Sequence, residues 1–390
     1  MYAEKHNLQK KVTLMNFENL KNYIDRMVTE YKVPGVDCIV CKDHEQVFRY
    51  FAGCSDLESG KKLDGSELYF IFSMTKMITC VSALQLLERG RYLLLDPVSK
   101  YLPEFANMTV RTDDGGTAPA KREMRIRDLF TMSAGLDYEL NDEAIASAIA
   151  AGKTTTRELV GAMANKVLCF EPGTRYRYSL CHDVLGALIE VWSGQKLGEY
   201  MQENVFAPLG MKDTFFGLPK DEERLARMAT LYDHDLQNGR EPKRLPLSCP
   251  YILTEEYQCG GAGLVSCTED YALFADALAC GGVGRNGNRI LSEASVELLH
   301  TNHLKGKALE DYQWERPGYG YGLGVRTHID ASESGALSPE GEFGWDGAAG
   351  AFSMVDPKNG LSLVYFQHIG FWERRKQQEL RNILYAEMNL

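Results

Sequence analysis

The strand-like segments of this sequence are confined to the two ends of the chain, and this separation limits the possible folds more than any other feature. Strand-like alternation or apolar runs occur in VPGVDCIVCKDHEQVFRYFAG near the amino terminus and in GYGYGLGVRTHID, GEFGWDGAAGAFSMVDP and LSLVYFQHIG near the carboxyl terminus. Helix-like patterns dominate between about residues 73 and 230. The two sets of strands predict one antiparallel sheet, with the helical middle as a large insertion.

Both ends of the chain also carry amphipathic helix patterns. Near the start, apolar residues are spaced as on one face of a helix, at Phe17, Leu20, Ile24, Met27, Val28 and Tyr31. The stretch RRKQQELRNILYAEMN forms a second such helix at the end. We therefore predict an α+β fold in which an antiparallel sheet of five or more strands is flanked by the two terminal helices. One domain is expected, with a sheet lobe (about 17–72 and 258–390) and a helical lobe (about 73–257).

Composition excludes several classes of function. The 390-residue chain has a net charge of −11, from 54 acidic and 43 basic residues, which argues against a nucleic-acid surface. No apolar run is long enough to span a bilayer. The start lacks the apolar centre of a signal peptide, so a cytoplasmic location is expected, although a removed leader would leave the same sequence. We expect a small-molecule ester or amide as partner, and no cofactor.

Ten cysteines are scattered along the chain, and reduced core thiols are the expected state. Cys38 and Cys41 form a C-x-x-C, but at strand spacing their side chains face opposite sides of the sheet. No metal site is therefore predicted.

Ser-x-x-Lys occurs three times, and the surrounding residues distinguish the three copies. Ser59 lies in the turn ESGKKLDG and Ser193 at a helix end beside a glycine. Ser73, followed by Lys76, instead comes directly after an apolar strand-like run and opens a long apolar helix. Residues three apart lie on one face of a helix, with Cβ atoms roughly 5–6 Å apart.

This arrangement suits a nucleophile for acyl transfer. A serine hydroxyl is weak until a base takes its proton, and a lysine can be that base only when burial favours its neutral form. The unpaired N–H groups at a helix start can stabilise a developing oxyanion. The alternative is an N-cap serine with an incidental lysine.

Six segments, in order along the chain, give the sequence its resemblance to a known family. They are FSMTK (72–76), MRIRDLFTMSAGL (124–136), FEPGTRYRYSLCHDVLGALIEVWSG (170–194), VFAPLGMKDTFF (205–216) and GGAGLVSCTEDYALFADAL (260–278), followed by FGWDGAAGAFSMVDP (343–357) in place of a third motif. Over about residues 17–385, the expected domain, the chain thus resembles the serine β-lactamase and penicillin-binding-protein superfamily. The similar branch holds class C β-lactamases, D-aminopeptidase-like peptidases and family VIII carboxylesterases.

The resemblance implies a role for each matching residue. Ser73 would be the nucleophile, and Lys76 would accept or relay its proton. Tyr178 would be the phenol of the second motif, since it alone, unlike the nearby Tyr176, is followed by Ser and then a helix. Backbone N–H groups of Ser73 and Ala348 would form the oxyanion hole. Whether Lys76 or Tyr178 is the resting base is left open.

Departures from the family pattern bear on the substrate. Leu180 stands where lactamases and peptidases carry Asn, which bonds the substrate amide. Trp345 stands where Lys or His would meet a substrate carboxylate, and Asp346 adds a negative charge before Gly347. Trp-x-Gly is similar to the Trp-Gly-Gly of family VIII esterases. An apolar ester therefore fits better than a β-lactam or a D-alanine terminus.

The sequence thus predicts a serine hydrolase that acts through an acyl-enzyme on Ser73, as a carboxylesterase on small acyl esters. A β-lactamase or D-amino-acid peptidase is the enzymatic alternative. The non-enzymatic alternatives are a penicillin-recognising sensor, which is acylated with negligible turnover, and a structural scaffold.

Overall fold

The computed structural model of the protein describes residues 16–233, 241–370 and 374–390. Its strands are β1 (Gly35–Lys42), β2 (Glu45–Asp56), β3 (Lys61–Lys62), β4 (Tyr69–Phe70), β5 (Thr109–Arg111), β6 (Thr117–Pro119), β7 (Phe215–Phe216), β8 (Tyr232–Asp233), β9 (Lys243–Arg244), β10 (Leu264–Ser266), β11 (Tyr319–Tyr321), β12 (Arg326–His328), β13 (Phe343–Gly344), β14 (Phe352–Asp356) and β15 (Leu361–Gln367). Eight of them form one sheet in the order β11-β12-β13-β14-β15-β1-β2-β3. Neighbouring strands in this sheet are antiparallel, as predicted.

The three strand segments predicted near the carboxyl terminus form five strands, because two of them fold back on themselves. A turn between β11 and β12 is closed by the N–H of Gly322, which donates to the carbonyl of Val325 at 2.8 Å. The turn between β13 and β14 is closed by the N–H of Gly347, which donates to the carbonyl of Ala351 at 2.7 Å. The two glycine-rich stretches that the sequence pattern assigned to single strands are therefore tight turns.

The helices are α1 (Glu18–Thr29), α2 (Thr75–Glu88), α3 (Ile126–Phe130), α4 (Glu143–Ala150), α5 (Thr156–Met163), α6 (Cys181–Ser193), α7 (Leu197–Met201), α8 (Ala207–Leu209), α9 (Glu222–Arg227), α10 (Thr268–Ala279), α11 (Glu293–His300), α12 (Gly306–Gln313), α13 (Ala331–Ser334) and α14 (Arg374–Met388). Short 3₁₀ turns cover Phe72–Met74, Val98–Lys100 and Pro103–Asn107, and a π-helical turn covers Gln202–Phe206. Within the described ranges, no helix has the length and apolar character needed to cross a membrane.

The two faces of the sheet belong to different hydrophobic clusters, as strand β1 shows. Cys38 packs with the terminal helices α1 and α14 on one face. Cys41 joins the cluster on the other face, which includes Phe274 of α10. The expectation that the two cysteines point to opposite faces is confirmed, and the terminal helices share one face. The proposed division into lobes at 72 and 258 stays a prediction.

Removal of a side chain between a terminal helix and the sheet tests this packing. Ile24 is fully buried, whereas Asn22 on the same helix is exposed. We expect Ile24→Ala to lower the free energy of unfolding by about 2–5 kcal/mol, because it leaves a cavity under the sheet. Asn22→Ala is the control and should change the free energy of unfolding by less than about 0.5 kcal/mol. Chemical denaturation measures both, and equal effects would contradict the packing of α1.

Candidate active site

Ser73 lies in the 3₁₀ turn Phe72–Met74, which leads directly into α2. The residue before it, Phe72, has a φ of 44°, a left-handed conformation that is strained for a bulky side chain. The N–H of Ile71 donates to the carbonyl of Leu264 in β10 at 3.1 Å and helps to hold this backbone in place. Such strain persists only where the surrounding structure imposes it, and it occurs often at functional sites.

Lys76 is fully buried, and its amine makes three hydrogen bonds. Nζ lies 3.3 Å from Oγ of Ser73, 3.1 Å from the hydroxyl of Tyr138 and 2.7 Å from the carbonyl of Gly261. The lysines of the other two Ser-x-x-Lys copies, Lys62 and Lys196, are exposed. The pair selected from the sequence is thus a hydrogen-bonded pair, in which the lysine is buried and the serine is half-buried.

Tyr178 lies in the segment that leads into α6, which begins at Cys181, and it presents its ring to the same lysine. Nζ of Lys76 is 4.6 Å from the centre of the Tyr178 ring. The hydroxyl of Tyr178 accepts a hydrogen bond from the indole N–H of Trp345 at 3.3 Å. Within the described residues Tyr178 makes no hydrogen bond with Ser73, and Lys76 is the group adjacent to both. Hydrogen bonds at catalytic groups often tighten only when substrate is present.

The segment from Trp345 to Ala348 reaches the candidate nucleophile through a close backbone contact. A Cβ on Gly347 would lie 2.5 Å from the carbonyl oxygen of Ile71, so only glycine fits. This contact brings Ala348 into the wall of the cavity that Ser73 also lines. The side chain of Asp346 forms an ion pair with Arg316 at 3.4 Å.

A cavity of about 570 Å³ lies above Ser73, and the described residues that line it include six aromatic and six charged side chains. It is lined by Ser73, Tyr138, Tyr176, Arg177, Tyr178, Tyr251, Asp311, Tyr312, Glu315, Arg316, Trp345, Asp346, Gly347, Ala348 and Arg374. Leu180 is not part of this lining. Its side chain is 1 % exposed and joins the core, while its N–H donates to the carbonyl of Asp137.

Sequence reasoning missed several residues of the site. Tyr138 lies two residues beyond the recognised MSAGL segment, and burial raises its pKa well above the ordinary value. It therefore remains a neutral phenol.

Two arginines of the cavity wall were also missed. The guanidinium of Arg316 lies 5.0 Å from the centre of the Trp345 ring. Arg177 is exposed, and its side chain has no ion pair within the described ranges. In the sequence, Arg177 was marked only by its position next to Tyr178, and Arg316 only by its place in an aromatic loop.

A group that could hold a metal occurs away from this cavity. Among the residues that the structure describes, His44, Asp276 and Cys280 place one ligand atom each within 4.8 Å of one another. Nδ1 of His44 is already within hydrogen-bonding distance of Oδ2 of Asp276, at 2.9 Å. None of the three lines the cavity over Ser73.

Comparison with known proteins identifies the family. Residues 20–387 match the family model described as Beta-lactamase, so the chain belongs to the β-lactamase family of hydrolases. Esterase EstB of Burkholderia gladioli is 28 % identical over 372 residues, covering 89 % of each chain. A putative D-alanyl-D-alanine carboxypeptidase of Escherichia coli is 28 % identical over 388 residues, covering 90 % of this chain and 82 % of that one.

The fold is supported by a solved structure as well. EstCE1, described as a hydrolase with promiscuous acyltransferase activity, superposes with a TM-score of 0.78 at 24 % identity. The match covers 96 % of this chain and 99 % of EstCE1. The predicted β-lactamase-like fold is therefore confirmed.

Substitution of a single glycine tests the close contact at Gly347. We expect Gly347→Ala to lower the free energy of unfolding by about 1–3 kcal/mol, because its methyl group would overlap a backbone oxygen. Gly161→Ala is the matched control, since the nearest atom to a Cβ there is 3.5 Å away and the residue lies within helix α5. It should stabilise the protein by about 0.5–1 kcal/mol. Urea denaturation compares the two, and a neutral Gly347→Ala would contradict the contact.

Proposed function

We propose that the protein is a serine hydrolase that cleaves small acyl esters through an acyl-enzyme on Ser73. The observation that carries this proposal is the buried amine of Lys76 at 3.3 Å from Oγ of Ser73, at the floor of a cavity. A buried amine is costly unless hydrogen bonds compensate it, and here the amine is held beside a hydroxyl at the cavity.

Each step of the reaction uses groups of this site. Oγ of Ser73 attacks the ester carbonyl as its proton passes to Tyr178 or Lys76. The N–H groups of Ser73 and Ala348 stabilise the negative oxygen of the tetrahedral intermediate. The alcohol leaves with the transferred proton, and the acyl group stays on Oγ. Water then attacks the acyl-enzyme and releases the acid, and the proton returns to Ser73.

The aromatic part of the cavity wall favours an ester with an apolar acyl or alkyl part. Tyr138, Tyr178, Tyr251, Tyr312 and Trp345 present ring surface to the cavity. Apolar pockets with a few polar groups bind small apolar ligands with defined orientation. The similarity to an esterase over 89 % of the chain supports the same class of substrate.

Arg316 favours a second candidate function, hydrolysis of a substrate that carries a carboxylate. From sequence, the third-motif segment offered no cation, but Arg316 lies against Trp345 in the cavity wall. It would bind a substrate carboxylate in competition with Asp346. β-Lactams and D-alanyl peptides carry such a group, and one relative is a putative D-alanyl-D-alanine carboxypeptidase.

A substrate panel with three variants tests the proposed reaction. We expect turnover of p-nitrophenyl butyrate, lost by about 10³-fold or more in Ser73→Ala. Lys76→Ala and Tyr178→Phe should each lower kcat/KM by about 10²–10⁴-fold, because each removes a group that handles the proton. Circular dichroism and thermal melting should show that all three variants fold. Ester turnover that survives in Ser73→Ala would overturn the proposal.

A chromogenic cephalosporin and a D-alanyl-D-alanine peptide distinguish the two candidates. Because these substrates carry a carboxylate, Arg316→Gln should raise their KM by about tenfold if the second function is correct. The same variant should leave KM for p-nitrophenyl butyrate unchanged within about twofold. Turnover of the butyrate ester alone, insensitive to Arg316→Gln, would favour the esterase over the second candidate.

A further inference from the structure

Three side chains of the types that bind transition metals meet where the β1–β2 hairpin packs against helix α10. His44, Asp276 and Cys280 each place one ligand atom within 4.8 Å of the other two. Nδ1 of His44 lies 2.9 Å from Oδ2 of Asp276, and Sγ of Cys280 lies 4.0 Å from Oδ1 of the same carboxylate. None of the three lines the cavity over Ser73, so this cluster is separate from the proposed acyl-transfer site.

The helix supplies two of the three groups from one face. Asp276 lies in the last turn of α10, and Cys280 directly follows the helix, with its N–H donating to the carbonyl of Asp276 at 3.0 Å. Side chains four residues apart on a helix lie on the same face. Pairs of metal ligands are presented from helices at this same spacing. The two side chains can therefore contact one ion without any change in the helix.

The hairpin supplies the third group from a tight turn. Asp43 and His44 form the two-residue connection between β1 and β2, and their φ angles are 50° and 72°. Positive φ at both positions is typical of the turn that joins two antiparallel strands with the least distortion. The N–H of Asp43 donates to the carbonyl of Gly360 at 2.8 Å, between β14 and β15. The turn that carries His44 is therefore attached to the sheet.

The buried carboxylate of Asp276 gives this cluster its preference for a cation. Its side chain is 1 % exposed, and burial of a carboxylate is costly unless a positive charge compensates it. Burial raises the pKa of Cys280 to about 12, and the negative charges of Asp276 and Asp43 add to this effect. A divalent cation between the two groups would compensate the carboxylate and a thiolate together.

A cavity of about 500 Å³ gives solvent access to the cluster. His44 and Cys280 both line it, and four charged side chains share the wall: Lys42, Asp43, Glu293 and Lys358. Two positive and two negative charges leave little net attraction for an ion in the cavity itself. The cation would therefore bind at its edge, beside Asp276, with room for one water molecule on the open side.

We propose that His44, Asp276 and Cys280 bind one Zn²⁺ ion, with a water molecule from the adjoining cavity as the fourth ligand. Zinc accepts nitrogen, oxygen and sulfur ligands together, whereas Mg²⁺ and Ca²⁺ take oxygen ligands. Tetrahedral zinc, with bonds of about 2.0–2.3 Å, places its ligand atoms about 3.3–3.6 Å apart. Shifts of about 1 Å would bring the three atoms to this spacing.

Metal binding exchanges protons and requires no oxidant or reductant. Sγ of Cys280 binds as a thiolate, and its proton passes to solvent. The hydrogen between Nδ1 of His44 and Oδ2 of Asp276 moves to Nε2 of the ring or to solvent. The ion would then join the β1–β2 hairpin to α10 as a structural cross-link. This inference does not depend on the reaction proposed at Ser73.

Zinc titration of metal-free protein tests the site. The protein is treated with a chelator, dialysed and titrated with Zn²⁺, and bound metal is counted by mass spectrometry. We expect one Zn²⁺ per chain with a Kd of about 1 μM or lower. His44→Asn keeps a residue that tolerates the turn, and Cys280→Ser keeps nearly the same volume. Each should raise the Kd by about 100-fold or more, because each removes one ligand.

Cys169→Ser is the matched control. Cys169 is also a partly exposed cysteine, but it lies outside the cluster. Its substitution should change the Kd for Zn²⁺ by less than about twofold. Unchanged zinc binding in both His44→Asn and Cys280→Ser would overturn the proposal. A Kd above about 100 μM in the unmodified protein would also overturn it, because a built site binds more tightly.

Two measurements on the unmodified protein decide the question if the variants do not fold. With Co²⁺ in place of Zn²⁺, a thiolate ligand gives a charge-transfer band in the near ultraviolet, which we expect to see. Crystals grown with equimolar Zn²⁺ should show one anomalous peak at the zinc edge, between His44, Asp276 and Cys280. The absence of the cobalt band, or a zinc peak only at other residues, would contradict the proposed site.

Discussion

The hydrogen bonding of one buried amine determines how the parts of this molecule meet. Lys76 has no contact with solvent, so its polar atom must find partners within the protein. The partners come from separate places in the chain: Ser73 one turn earlier, Tyr138 after α3, and the Gly261 carbonyl just before β10. The ring of Tyr178, from the segment that leads into α6, covers the same amine. A change in any of these segments therefore acts on the candidate nucleophile.

The sheet contributes to this centre through backbone proximity. The turn after β13 packs against the backbone just before Ser73, since Gly347 has no side chain to prevent it. Trp345 then donates to Tyr178, and Ala348 reaches the cavity. The strained Phe72 conformation lies between these contacts, so the surrounding strands impose the geometry of the nucleophile turn. The sheet and the helical insertion build one site together.

The sequence predicted the parts of the site that depend on local order along the chain. Ser73 and Lys76 share one helix face, and the strand segments at the two ends pair into the predicted sheet. It did not predict contacts that arise only in the folded chain. The contacts of Tyr138, Arg316 and the Gly261 carbonyl could not be read from local pattern, because they depend on which segment packs beside Lys76 or Trp345. Leu180 was expected at the substrate, but at the start of α6 its side chain points into the core.

Mass spectrometry of the protein quenched during turnover of p-nitrophenyl butyrate tests most directly whether Ser73 is the nucleophile. The expected result is a mass increase equal to one butyryl group, located by peptide mapping on the segment that contains Ser73 and absent from Ser73→Ala. Ester turnover at the unmodified rate in Ser73→Ala, or an acyl group mapped to a different residue, would contradict the role given to Ser73 and to the buried amine beside it.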